Sequence, residues 1–122
     1  TADAMKAALD QDGHVALYVN FDFNKATLRP DAKPVIDRVA ALLKNDPALK
    51  LEVDGYTDNV GADDYNVKLS QARAASVVAA LKADGADVAR LSSNGFGPAN
   101  PIADQSTAEG RAKNRRVELV KK

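Results

Sequence analysis

The sequence predicts an α+β fold: a two-layer α/β sandwich in which two long helices lie on one face of a small four-stranded sheet. Three observations carry this reading. Stretches of alternating polarity around residues 14–21, 49–54 and 117–119 interleave with two long stretches whose apolar residues recur every three or four positions. The alternating stretches put Asn20, Lys50, Glu52, Asp54 and Glu118 on one side, polar enough to face water, which argues against a three-layer doubly wound sheet. The length, 122 residues, suits a single core.

Each element follows from local pattern. Ala2 to Asp10 reads as a short helix burying Met5, Ala8 and Leu9, closed by the turn signal Asp12-Gly13. From His14 to Phe21, Val15, Leu17, Val19 and Phe21 fall on one face of a strand, and the polar run Asp22-Phe23-Asn24-Lys25 ends it as a loop. Pro30 fits a first helical turn, and Ala32, Val35, Ile36, Val39, Leu42 and Leu43 follow at helical spacing until Pro47. Leu49, Leu51 and Val53 alternate in a second strand that runs into Gly55-Tyr56-Thr57-Asp58-Asn59-Val60-Gly61. A second long helix spans about Asp64 to Asp84, with Val67, Ala74, Val77, Val78 and Leu81 as its stripe and Gly85 as its stop. Val88 to Phe96 reads as a third strand ended by Gly97-Pro98. Ser106 and Glu109 have capping-box spacing for a short helix before the closing strand at Val117 and Leu119.

Composition narrows the chemistry. The chain has no Cys, which excludes disulfides, thiolate metal sites and Cys nucleophiles, and its one histidine, His14, excludes two-histidine zinc patterns. His14 sits in an alternating stretch and is expected as an exposed strand side chain. With only scattered carboxylates left over, no acid, base and nucleophile set is visible, and the expectation is a non-enzyme with no cofactor and no metal. The longest apolar run, Val39 to Leu43, is far below the roughly 18 residues that span a bilayer. Membrane association is expected only through a segment absent from this chain.

Lys plus Arg and Asp plus Glu each number 17, yet Arg111, Lys113, Arg115, Arg116, Lys121 and Lys122 crowd the last twelve residues against Glu118 alone. A basic tail can bind nucleic acid, but three Tyr and three Phe offer few stacking platforms, and no nucleic-acid partner is expected. A solvated edge strand protected by charge accounts for the tail equally well.

Two motifs stand above composition: Thr57-Asp58-Asn59 between Gly55 and Gly61, and Asn66 to Arg73. Asp58 in a glycine-flanked turn has an ordinary reading as a turn or helix cap. Arg73 follows fifteen residues later on the helix that this loop enters, so both can border one cleft. A carboxylate and a guanidinium held close but not paired would match an amino-acid zwitterion, Asp58 taking the ammonium and Arg73 the carboxylate. The alternative is a direct Asp58 to Arg73 salt bridge, worth about 0 to 1 kcal/mol at a surface.

At these residues the sequence resembles the OmpA-like peptidoglycan-binding domain over Val19 to Val120. The resemblance rests on Phe21-Asp22-Phe23-Asn24, Gly55 to Gly61, Asn66 with Leu69-Ser70 and Arg73-Ala74, Gly95-Phe96-Gly97, Pro101, and Gly110 to Glu118, in family order and near family spacing. It implies a mixed sheet and a non-catalytic module that binds the peptidoglycan stem peptide through meso-diaminopimelate, gripped at Asp58 and Arg73. It further implies that Asn24, Thr57 and Asn66 supply hydrogen bonds, that Phe23 and Leu69 shape the wall, and that Arg115 closes one side. Arg116, Arg111 and the terminal lysines are read as sheet-edge or surface charges, with a structural role as the alternative for Arg111. Tyr56 stands where many members carry His, which removes a titratable group near the pocket.

The implied role is a tether between an outer-membrane or membrane-anchored protein and the cell wall, on the periplasmic side of the outer membrane of Gram-negative bacteria. Residues 1–14 form an N-terminal helix or linker segment ahead of the domain at 15–122. The alternative is an interaction module that self-associates, as a homodimer for example, or docks another periplasmic protein through the basic final strand.

Overall fold

The computed structural model describes residues 2–122; Thr1, the first residue of the N-terminal segment, lies outside the described residues. The elements follow in the order α1 (Ala2–Asp12), β1 (His14–Leu17), α2 (Lys33–Asn45), β2 (Leu51–Tyr56), α3 (Asp63–Ala83), β3 (Leu91–Gly97), α4 (Ala108–Asn114) and β4 (Arg116–Lys121). One 3-10 turn at Pro30–Ala32 leads into α2 and another at Val88–Arg90 into β3.

The four strands form one mixed sheet in the order β1-β4-β2-β3. β4 runs antiparallel to both β1 and β2, whereas β2 and β3 are parallel and joined through α3. A parallel pair needs such a crossover, and α3 packs back on the two strands it connects. The core lies between the sheet and the helices: Leu51, Val53, Val117 and Leu119 meet Ile36, Val39, Leu42 and Leu43 of α2 and Ala74, Val77 and Leu81 of α3. Met5 and Leu9 of α1 are buried in the same cluster, so a third helix joins the layer. Among the described residues no helix is long and apolar enough to cross a membrane.

Two glycines set how closely α3 can approach the sheet. A Cβ on Gly55 would run into the backbone carbonyl of Ser70, and one on Gly95 into the backbone nitrogen of Gln71. Only glycine lets the helix backbone lie that near the strands. The buried stripe of α3 therefore begins with Asn66 and Ser70 before reaching Ala74, Val77 and Leu81. Val67, expected in that stripe, is 40% exposed. Ser70 earns its burial: its hydroxyl accepts from Gly97 N–H at 2.9 Å and donates to the Val67 carbonyl at 2.8 Å.

Several expectations are corrected. The first strand stops at Leu17; beyond it residues 20–29 fold into a loop held by Arg29 N–H to the Asn20 carbonyl and Asp22 N–H to the Thr27 carbonyl, with one bridge between Phe21 and Leu28. The third strand begins at Leu91, because Asp87 caps the preceding turn by accepting from Ala89 N–H. The cap of α4 is Thr107, not Ser106; the Thr107 hydroxyl accepts from Gly110 N–H at 2.9 Å. The basic final strand is not an edge: β4 is central, and its end charges pair locally, Lys121 with Asp10 at 3.0 Å and Lys122 with Glu52 at 3.4 Å. Arg116 is no surface charge either, since its side chain is 2% exposed.

Asp54 departs from the water-facing role assigned to it. It is 4% exposed, lies directly across from Glu118 in the β2–β4 register, and its Oδ1 has no hydrogen-bond partner among the described residues. Burial, reinforced by neighbouring Glu52 and then Glu118, pushes its carboxyl up to about 7. The native state thus holds a proton that the unfolded chain has already released. This contribution to stability is complete below the ordinary value of 3.8 and is lost as pH rises through about 7. Carboxyls held low by partners, such as Asp10 by Lys121 and Lys6, are already ionised in that window. Stability measured by urea unfolding should therefore fall between about pH 4 and pH 7, and Asp54→Asn should flatten that fall. An unchanged slope in the variant would remove Asp54 as its source.

Candidate functional site

An open cleft of about 780 Å³ lies at the carboxyl end of β2. Four pieces of chain build it: the loop after β1, the β2–α3 loop, the first half of α3 and the junction of α4 with β4. The position follows from the topology. The crossover from β2 to β3 must leave the sheet at the end of β2, and the helix it enters lies back over that same end.

The loop that carries Asp58 is fixed by its own polar groups. Thr57 N–H donates to the Gly97 carbonyl at 2.7 Å, and the Thr57 hydroxyl donates to the Asp58 carbonyl at 2.7 Å. Asp58 Oδ1 accepts from Val60 N–H at 3.0 Å, an Asx-type turn, and Gly61 turns the chain at φ 93°. Asn66 Nδ2 then ties the loop to α3 by donating to the Val60 carbonyl at 3.0 Å. The capping reading of Asp58 thus accounts for one of its oxygens. The other, Oδ2, accepts from Arg115 Nη1 at 2.7 Å, and the Asp58 side chain is only 12% exposed.

Arg73 lies across the cleft and is not bonded to Asp58. Its Nε donates to the Lys25 carbonyl at 2.9 Å, and its guanidinium carbon sits 4.9 Å from the centre of the Phe21 ring. Its two terminal nitrogens have no hydrogen-bond partner among the described residues. Burial, with a smaller push from the positive charge of Arg115, lowers the guanidinium from its ordinary value, while Tyr65 and Asp58 act in the opposite sense. The cleft is therefore lined by one carboxylate and three guanidiniums: Arg115 is spent on the carboxylate, Arg116 is buried against Glu118, and Arg73 has no anionic partner among the described residues.

All eight site residues named from the sequence line this one cleft: Asp58, Arg73, Asn24, Thr57, Asn66, Phe23, Leu69 and Arg115. They do not play equal parts. Thr57 and Asn66 are buried and hydrogen-bonded within the loop, whereas Phe23 is 86% exposed at the rim. Asn24 adopts φ 55°, a left-handed turn that asparagine tolerates. Its carbonyl accepts from the Tyr65 hydroxyl at 3.4 Å.

Tyr65 and Arg116 are what the sequence reading missed. Tyr65 lies one helical turn before Leu69, which lies one turn before Arg73, so the three share a line on α3; that spacing was the available signal. Arg116 gave none, because a basic residue in a basic tail does not announce burial. Its guanidinium stacks 3.9 Å from the centre of Tyr56, donates to Glu118 at 2.6 Å, and bonds the Asn114 and Asn100 carbonyls at 3.1 and 3.0 Å. Tyr56 in turn stacks on Phe96 with centroids 5.3 Å apart. Arg116 thereby fixes the chain next to Arg115.

A buried charge with this many partners should be costly to remove. Arg116→Met should lower unfolding free energy by about 3 to 5 kcal/mol, because Glu118 and two carbonyls lose their donor. Arg115→Ala, in the same denaturant titration, should cost less than about 1 kcal/mol, since its side chain is half exposed.

Comparison with known proteins completes the site's description. The OmpA family model matches residues 20–115. The probable lipoprotein YiaD of Escherichia coli K12 is 50% identical over 102 residues, covering 84% of this chain and 47% of that protein. The peptidoglycan-binding protein ArfA of Mycobacterium bovis is 42% identical over 102 residues, covering 84% of this chain and 31% of that protein. The chain thus spans about half or less of these relatives. Among solved structures, the peptidoglycan-associated lipoprotein from Burkholderia pseudomallei superposes with a TM-score of 0.77 at 29% identity, covering 88% of this chain and 89% of that one.

Proposed function

From the premise that this chain belongs to the OmpA family, we propose that it is a non-catalytic module that binds peptidoglycan through the zwitterionic end of meso-diaminopimelate in the stem peptide. The whole protein would be an outer-membrane or membrane-anchored protein tethered to the cell wall, with this domain on the periplasmic side of the outer membrane. Two named relatives support the class of ligand, one a peptidoglycan-binding protein and one a peptidoglycan-associated lipoprotein.

The observation that carries the finer reading is the charge arrangement of the cleft. Asp58 shares the cleft with three guanidiniums, of which Arg116 is buried against Glu118, while Arg73 and Arg115 border the space without Asp58 and Arg73 neutralising each other. An ammonium fits the first and a carboxylate the second, and planar guanidinium forks suit a carboxylate's two oxygens. Asn24 lies beside them with amide capacity for the peptide, and Phe23 and Leu69 offer apolar wall to the methylene chain of the guest.

Binding in this account makes and breaks no covalent bond. Each charge-assisted hydrogen bond contributes about 1.5 to 3 kcal/mol, so loss of one pole should weaken binding at least tenfold. Asp58→Asn keeps an acceptor for Val60 N–H while removing the charge, and Arg73→Ala removes the other pole. Each variant should lose most co-sedimentation with purified diaminopimelate-type sacculi while keeping the wild-type circular dichroism spectrum. Wild-type pull-down by both variants would reject the site, and release of soluble fragments from the sacculi would reject the non-catalytic reading.

A further inference from the structure

The Asp58–Arg115 pair raises a question of selectivity. A cleft meant to hold an ammonium through Asp58 has its free carboxylate oxygen already taken, at 2.7 Å, by a cation of its own. The other Asp58 oxygen accepts from Val60 N–H, so an incoming amine must share either carboxylate oxygen with a donor already in place. It also meets Arg73, whose charge has no carboxylate partner among the described residues. A plain amine therefore encounters two obstacles, an occupied anion and an uncompensated cation.

Arg115 is placed to yield. It occupies the residue between α4 and β4, its side chain is 48% exposed, and its bond to Asp58 is the only hydrogen bond of its guanidinium among the described residues. Letting go of Asp58 returns most of that side chain to water at small cost. Its neighbour Arg116 is pinned by three partners and a ring, so the backbone from which Arg115 swings stays fixed.

We propose that Arg115 is a specificity-determining residue that bars simple amines from Asp58 and admits only a guest bringing its own carboxylate. Such a guest exchanges partners with the pair. Its ammonium takes Asp58 Oδ2, and its carboxylate receives the displaced Arg115 together with Arg73. An amine without a carboxylate would displace Arg115 and give it nothing in return, leaving two unpaired guanidiniums facing one another. The cleft thus reads both charges of the zwitterion jointly. This inference rests on the ligand reading given above and extends it to discrimination between guests.

The test compares two small molecules that differ only in their carboxylates, meso-diaminopimelate and 1,5-diaminopentane, titrated into the full chain and followed by amide chemical shifts. Wild type should bind diaminopimelate and take diaminopentane at least tenfold more weakly. Arg115→Ala should lose about tenfold for diaminopimelate and gain about fivefold for diaminopentane, as one partly exposed ion pair no longer competes. Arg115→Lys, which keeps the competing charge, should retain the wild-type preference. If Arg115→Ala binds diaminopentane no better than wild type while wild type still binds diaminopimelate, the exchange is wrong and the ligand reading stands. If wild type binds no diaminopimelate, both fall together.

Discussion

Helix α3 rests on strands β2 and β3 with backbone against backbone, and that contact depends on the missing side chains of Gly55 and Gly95. Parallel strands require a crossover, and here the crossover helix is drawn in until its own chain touches the strands it joins. The Asp58 loop is then squeezed between the end of β2 and the start of α3, where Asn66 and Thr57 fasten it. Arg73, farther along the same helix, is brought over the same end of the sheet. A larger residue at either glycine would lift α3 and separate the two poles of the cleft.

The pair Arg115 and Arg116 shows how adjacent residues of one type acquire opposite roles. Arg116 opens β4 across from Tyr56, so its guanidinium lies along the sheet between an aromatic ring, Glu118 and two carbonyls. Each of its three nitrogens donates a hydrogen bond, which offsets the cost of burying such a charge. Arg115 lies one residue earlier, outside the strand, and reaches the cleft with a single partner. Fixing one leaves the other half exposed on a held stretch of backbone. The polar side of the sheet follows a related logic: Asp54 opposite Glu118 would be a repulsive pair if both were charged, and the raised carboxyl of Asp54 removes that repulsion by keeping a proton.

The two-layer architecture and the approach of Asp58 and Arg73 to one cleft left periodic or positional marks in the sequence, whereas Asn24, Thr57, Asn66, Phe23, Leu69 and Arg115 came only with the family resemblance. Alternation identified the strands, three-and-four spacing identified α2 and α3, and the glycine-bracketed Thr57-Asp58-Asn59 motif marked the loop. What was hidden was decided by long-range partners. Val67 and Ser70 look like a core residue and a surface residue, yet the close seating of α3 reverses them, because the Gly97 N–H needs an acceptor. Nothing local tells that the basic last strand is inserted between β1 and β2, so Arg116 reads as solvated until Tyr56 and Glu118 are seen beside it. The partner of Asp58 was equally out of reach, since 57 residues separate it from Arg115 in the chain.

The account stands on a cleft in which Asp58 and Arg73 are left to a guest rather than to each other, and a crystal structure with meso-diaminopimelate bound tests this most directly. It should show the ligand's ammonium nitrogen about 3 Å from Asp58 Oδ2, its carboxylate on Arg73, and Arg115 turned from Asp58 to that carboxylate. A ligand seated elsewhere, or one bound while Asp58 and Arg115 remain paired, would contradict it.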